Sequence, residues 1–291
     1  MKTPRFEYHA PRTLDEVLNL LGDLGEEAKV LAGGQSLVPL LAMRLARPEH
    51  VIDVNRVPEL ARIDERDGAL VLGAMVRHRQ VERSPVVAAR SPLLAGAVPF
   101  IGHVAIRSRG TIGGSLAHAD ASAELPAVAR ALDAELLVRS TRGDRVVAAE
   151  SFFLGHFTTA LEDDECLVEV RVPAWPTGAG WGIYEMVRRH GDFAVAGAVA
   201  MMALGDGGTI ADARVSLFGV ADVPVRAQAA ESALLGQAPT SDVLDAAAAV
   251  AADPLRPASD LHGSSAYRRH VARVAVRRAL ADAAERAKEA A

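Results

Sequence analysis

Ala32-Gly33-Gly34-Gln35-Ser36 and Thr111-Ile112-Gly113-Gly114-Ser115 decide how this sequence is read. Each glycine pair follows an extended segment, is followed within two residues by Ser, and leads toward a helix. Adjacent glycines let the backbone take positive φ and come close to a ligand, so that successive N–H groups converge on phosphate oxygens. Two such loops suit a pyrophosphate. They also suit two tight turns, and only the matched surroundings favour the first reading. Neither loop is a G-x-x-x-x-G-K-[ST] phosphate loop or a G-x-G-x-x-G fingerprint. Val38 stands where a G-x-S-x-G nucleophile elbow needs glycine, which disfavours a serine hydrolase.

Outward from the first pair, Thr13 and Glu16 form a capping box for a helix carrying Leu14, Val17, Leu18 and Leu21 on one face, ended by Gly22 and Gly25. Ala28 to Leu31 reads as a strand, Leu37 to Leu45 as a helix stopped by Pro48, and Val51 to Val54 as a second strand. The unit is strand, glycine loop, helix, strand. A strand at Ala69 to Leu72 and helices over Gln80 to Ala89 and Pro92 to Gly102 follow. Ile106 to Ser115 breaks the pattern. Beyond it lie a helix over Ala123 to Leu132 and strands over Ala134 to Arg139 and Val168 to Val172. Pro173-Ala174-Trp175-Pro176-Thr177-Gly178 reads as a linker. Phe193 to Leu204 and Thr209 to Val220 form a hairpin about Gly205-Asp206-Gly207-Gly208. Three alanine-rich helices close the chain, the last from Ser264 to Ala290.

The 291 residues are enough for two or three domains at roughly 100–200 residues each. The formal charge of −5, with acidic and basic residues intermingled, gives no electrostatic footprint for nucleic acid. Met1 to Ala10 lacks a signal-peptide core, and no run reaches the ~20 apolar residues of a membrane span. A cytoplasmic protein is expected. Cys166 is the single cysteine. No disulfide and no iron–sulfur cluster ligated wholly by this chain is therefore expected. His103, His118, His156 and His190 lack companions at metal-ligand spacing, and no metal site is expected.

Four segments carry a resemblance. Leu31-Ala32-Gly33-Gly34-Gln35-Ser36-Leu37, Val51-Ile52-Asp53-Val54-Asn55, Arg109-Gly110-Thr111-Ile112-Gly113-Gly114-Ser115-Leu116-Ala117 and Arg189-His190-Gly191-Asp192-Phe193-Ala194 together resemble the FAD-binding medium subunit of molybdenum hydroxylases. This is the xanthine dehydrogenase and carbon monoxide dehydrogenase family, and the likeness runs through essentially the whole chain in order. It implies an α+β (α/β) architecture. A two-part FAD-binding domain of the vanillyl-alcohol-oxidase (PCMH-like) type, residues 1–57 and 58–174, precedes a C-terminal α+β domain, 178–291, with a small antiparallel sheet and helices.

The resemblance further implies that Ala32, Gly33, Gly34, Gln35 and Ser36 with Thr111, Ile112, Gly113, Gly114 and Ser115 surround the FAD pyrophosphate and ribityl chain. The acidic stretch of Asp120 and Glu124 matches the position that meets the adenosine ribose. Leu167 matches a backbone contact to the flavin ring, and Phe193 an aromatic residue near the isoalloxazine. No catalytic residue is implied. The implied partners are a molybdenum–pterin large subunit and an iron–sulfur small subunit in a heterotrimer that can dimerise, with NAD, oxygen or quinone as acceptor.

Blander readings stand beside these. Asp120 suits a helix cap, Phe193 the core of a strand, Arg107 and Arg109 a solvated or partner-facing surface, and Cys166 a buried small hydrophobe. Two other functions fit the same loops. One is a stand-alone FAD-dependent oxidoreductase acting directly on a small molecule. The other is an assembly subunit that has lost flavin.

Overall fold

A computed structural model describes residues 2–174 and 176–290; Trp175, within the expected linker, lies outside the described residues. The N-terminal part is built on a three-stranded parallel sheet in the order Glu7–His9, His50–Asp53, Ala28–Leu31. The helix Leu14–Leu24 covers one face and buries Leu14, Val17, Leu18 and Leu21 with Ile52 and Val54. Thr13 caps it by accepting the Glu16 amide at 3.2 Å, while the Glu16 carboxylate accepts the amide of Arg12 at 2.7 Å. The helix runs through Gly22 and ends at Gly25, whose φ of 51° only glycine adopts readily. The second helix is shorter than expected, Leu37–Ala42, because Arg44 at φ 59° turns the chain out of it.

A five-stranded antiparallel sheet follows, in the order Ile63–Arg66, Ala69–Gly73, Cys166–Val172, Glu135–Ser140, Gly143–Ala148. Leu72, Leu136, Val138 and Val170 pack beneath short helices that contribute Leu93, Ile112, Leu116, Leu125 and Val128. The single helix expected over Gln80 to Ala89 is two, His78–Arg83 and Pro85–Arg90. Pro85 has no N–H to continue the first helix, and Ser84 restarts the chain by accepting the Val87 amide at 3.3 Å. The irregular stretch expected over Ile106 to Ser115 is likewise mostly helical: Val104–Arg109 and Ile112–His118, separated by Gly110 and Thr111.

The C-terminal part is a four-stranded antiparallel sheet, Gly180–Met186, Ala196–Leu204, Ile210–Phe218 and Val225–Arg226, backed by the helices Gln228–Leu234, Ser241–Ala252 and Ser265–Ala290. Its alanine and glycine content has a geometric purpose. A Cβ on Gly180 would lie 1.8 Å from the carbonyl oxygen of Ala283, and one on Gly182 2.1 Å from that of Ala279. The long helix rests directly on the strand backbone. The expected hairpin is present, with the Gly205 amide donating to Thr209 at 2.8 Å. Phe193, expected to begin the strand in the core, instead lies on the preceding turn and is 61 % exposed.

Trp181 and Ile183 project from this sheet toward the helices of the middle part, where the Trp181 ring covers Gly96. Gly219 donates its amide to Ala121 at 2.7 Å. Among the described residues no helix is long and apolar enough to cross a membrane.

Candidate cofactor site

The sequence of the first glycine pair places a cleft of about 320 Å³ at the carboxyl ends of the parallel strands. Ala32, Gly33, Gly34 and Gln35 line it together with Asp53, Asn55 and Arg109. Gly34 has φ 74°, and a Cβ on Gly33 would lie 2.4 Å from the Arg109 carbonyl oxygen. The two segments singled out by sequence therefore meet: a Cβ on Gly114 would lie 3.3 Å from that of Ala32. Among the described residues, the amides of Gly34, Gln35 and Ser36 have no protein acceptor. That is the donor set a phosphate oxygen accepts from. Gln35 folds back to donate to the Gly33 carbonyl at 3.2 Å, and Ser36 opens the helix without a side-chain cap.

The second glycine pair is different in kind. Thr111 is a helix cap whose Oγ1 accepts the Gly114 amide at 3.0 Å. Ile112 donates to Val76 at 3.0 Å and Gly113 to Ala74 at 2.8 Å. These amides are engaged within the protein, so the two loops are not equivalent, and only the first leaves successive N–H groups without a protein acceptor among the described residues. Gly113 is required by packing, since a Cβ there would lie 2.4 Å from that of Ala74. Buried His78 fixes the segment. Its Nε2 donates to the Thr111 carbonyl at 3.0 Å, and burial pushes its pKa down to about 4, so the ring is neutral.

A polar chain supports the cleft floor. Tyr8 donates to Asp53 Oδ2 at 2.6 Å, and Asn55 Nδ2 donates to the Ala32 carbonyl at 2.8 Å. Partial burial opposes the charge on Asp53, but hydrogen bonds from Tyr8 and Asn55 outweigh it and hold the carboxyl below its ordinary range. Arg77 donates to the Arg109 carbonyl and to Asn55 Oδ1. Burial first, then the like charge of Arg109, makes its guanidinium less favourable than usual. Among the described residues neither arginine has a carboxylate within ion-pair distance. Two like charges held together at a cleft suit an anion, although the ionised Asp53 in the lining offsets part of that charge. Arg77 was not foreseen from sequence, because nothing in Met75-Val76-Arg77-His78 separates it from a surface residue.

Arg107 is neither a phosphate ligand nor a surface residue. It is buried, paired with Glu82, and donates to the carbonyls of Pro99, Ile101 and Gly102 at 3.1–3.3 Å.

The other predicted residues lie apart from the cleft lining. Asp120 accepts the Ser122 amide at 2.8 Å, while the helix Glu124–Ala131 starts from Ala123 with no side-chain cap. Glu124 is buried in the first turn of that helix, and burial pushes its pKa up to about 7, with Asp120 adding to the rise. Glu185 faces the same region from the C-terminal sheet and is pushed up to about 8 by burial and then by Glu124. Leu167 is buried in the strand Cys166–Val172 beside a bulge between Leu167 and Glu169, and Val168 accepts the Ala74 amide at 2.8 Å. That links it to the packing of Gly113. Cys166 is a buried thiol, pushed up to about 12 by burial. Phe193 stands in solvent on the turn whose Gly191 packs on His103.

Residues 4–175 match the FAD binding domain in molybdopterin dehydrogenase, and residues 183–283 the CO dehydrogenase flavoprotein C-terminal domain. The carbon monoxide dehydrogenase medium chain of Hydrogenophaga pseudoflava is 44% identical over 280 residues, 96% of this chain and 97% of that one. The 6-hydroxypseudooxynicotine dehydrogenase complex subunit alpha of Paenarthrobacter nicotinovorans is 42% identical, over 99% and 97% of the two chains. A solved carbon monoxide dehydrogenase from Hydrogenophaga pseudoflava superposes with TM-score 0.95 at 45% identity, covering 98% of this chain and 99% of its counterpart.

Proposed function

This chain belongs to the FAD-binding medium subunits of the molybdenum hydroxylases, and on that premise we propose that it relays electrons from partner iron–sulfur clusters to an external acceptor. The chain is an FAD-binding oxidoreductase subunit of a multi-subunit complex. The finer assignments are our reading: a molybdenum–pterin large subunit and an iron–sulfur small subunit as partners, NAD, oxygen or quinone as acceptor, and a cytoplasmic location. The division into residues 1–57, 58–174 and 178–291 belongs to the same proposal. It is supported by a separate main sheet in each part and by family matches that meet near the linker.

Bound FAD supplies one-electron and two-electron redox chemistry. What the chain's own residues contribute is position. The amides of Gly34, Gln35 and Ser36 face the pyrophosphate, with Gly33 thinning the wall against Arg109. Arg77 and Arg109 offset the phosphate charge, and Thr111 to Ser115 form the second wall through backbone fit. Glu124, mostly protonated below its raised pKa, receives the ribose with Asp120, and Leu167 and Phe193 belong to the flavin end. No acid or base from this chain is needed. Substrate chemistry belongs to the partner.

The observation that carries the reading is the cleft lined by Gly34 and Gln35, whose amides, with that of the adjoining Ser36, have no protein acceptor among the described residues, and by Arg109, with Arg77 bonded to its carbonyl. In the assembled complex, substrate should reduce the iron–sulfur centres whether or not this chain holds FAD, and should reduce the acceptor only when it does. Equal acceptor reduction by flavin-depleted complex would refute the relay.

A further inference from the structure

Glu7 and His9 alternate onto one face of the edge strand, and His50 opens the neighbouring strand with its Cα level with that of Glu7. Matched positions of parallel strands share a face, so the three side chains meet. His9 Nε2 stands 3.1 Å from His50 Nδ1, with ring centroids 5.3 Å apart. The two carboxylate oxygens of Glu7 approach the same two nitrogens, Oε1 at 3.9 Å from His9 and Oε2 at 3.8 Å from His50. The imidazoles are 19% and 18% exposed, and the Glu7 side chain is 68% exposed. None of the three lines the cofactor cleft.

We propose that His9, His50 and Glu7 form a binding site for a transition-metal ion of the Zn2+ or Ni2+ class. Two imidazole nitrogens on one ion, at ~2.0–2.1 Å each and at angles from square to tetrahedral, lie ~2.9–3.4 Å apart. The observed 3.1 Å falls inside that window. A hydrogen bond between two rings also gives this separation. It does not account for a carboxylate directed at the two facing nitrogens, where three ligand atoms converge on one point. Closing Glu7 onto an ion takes a small rotation of a solvent-exposed side chain. Both rings must carry their hydrogen on the outer nitrogen, His9 on Nδ1 and His50 on Nε2, and neutral imidazole allows either tautomer.

Two imidazoles and a carboxylate select Zn2+, Ni2+ or Cu2+ over Ca2+ and Mg2+, which prefer all-oxygen sites. Glu27 and Glu49 place carboxylate oxygens within 4.8 Å of a ring nitrogen of His50 and add negative charge beside the site. The sequence hides the cluster, because His9 and His50 are 41 positions apart and only strand pairing brings them together. An ion here ties the short edge strand to the sheet. That strand also carries Tyr8, whose hydroxyl reaches Asp53 at the cofactor cleft.

The test is calorimetric titration of chelator-treated, FAD-loaded protein with ZnCl2 and with NiCl2, accompanied by thermal unfolding. The wild type takes up one saturable equivalent and its Tm rises with metal. His9→Gln, His50→Gln and Glu7→Gln each weaken that equivalent at least tenfold and abolish the metal-dependent rise. His270→Gln, on the exposed face of the last helix, leaves both unchanged. Glu7→Gln alters a mostly exposed side chain and so keeps the comparison within folded protein. Absence of the saturable equivalent in the wild type, or unchanged affinity in the three site variants, overturns the assignment.

Discussion

Gly33 and Arg109 are in backbone contact: a Cβ on Gly33 would lie 2.4 Å from the Arg109 carbonyl oxygen and 2.9 Å from the Cα of Gly110. The parallel sheet and the helical segment that follows the antiparallel sheet's first hairpin are joined here, at the rim of the cofactor cleft. Gly33→Ala must push these backbones apart. The expected cost is about 1–3 kcal/mol of stability, as for other overpacking, together with loss of FAD. Thermal unfolding and the ratio of flavin to protein absorbance measure the two effects.

Gly113→Ala should behave differently. Its Cβ would meet Ala74, 2.4 Å from that residue's Cβ and 2.8 Å from its Cα. The predicted loss, again about 1–3 kcal/mol, falls equally on apo and FAD-loaded protein because the contact lies in the core. A denaturant series with and without FAD reads this: equal decrements support packing, whereas a decrement confined to the loaded form supports direct contact with the cofactor.

Arg77→Gln removes a guanidinium that donates to Asn55 and to the Arg109 carbonyl beside the cleft. FAD affinity should fall about ten- to a hundredfold, the scale of one charge-assisted hydrogen bond, and depend less on ionic strength than in the wild type. Fluorescence titration of apoprotein at two salt concentrations checks both effects. Unchanged affinity would remove Arg77 from the site.

Glu124 and Glu185 give apo stability a pH dependence of known sign. Below the ordinary value of 4.5 both are protonated folded or unfolded, and their burial has no ionisation cost. As pH rises past 4.5, the unfolded chain releases protons that the folded chain keeps, up to its values of about 7 and about 8. Stability therefore declines through that window. Each group contributes at most about 1.4 kcal/mol per pH unit, and Glu185 less, because its partial exposure admits screening water. Glu185→Gln should flatten urea-derived stability between pH 5 and 8, and an unchanged slope would count against proton retention by Glu185 in the folded chain.

The sequence spoke clearly where a local rule was sufficient. Thr13 with Glu16 announces a helix start and Gly205 to Gly208 a hairpin, both of which are present. It misled where one local signal had two causes. Gly113-Gly114 resembles Gly33-Gly34 in composition, yet both lie within a helix, Gly113 packed on Ala74 and Gly114 facing Thr111 and Ala32. Phe193 is apolar and borders a buried strand, but the strand begins three residues later, at Ala196. Arg77 and Asn55 reach the cleft only through tertiary pairing. The strand Glu7–His9 is too short to alternate visibly, although it carries both Tyr8 and the histidine cluster.

The most direct test of the account is the flavin content of the assembled complex carrying Gly33→Val, measured beside its molybdenum and iron. The cleft assignment predicts that FAD falls from one per chain to nearly none while molybdenum and iron stay at wild-type levels. Stoichiometric FAD in that variant, with the complex intact, would contradict it.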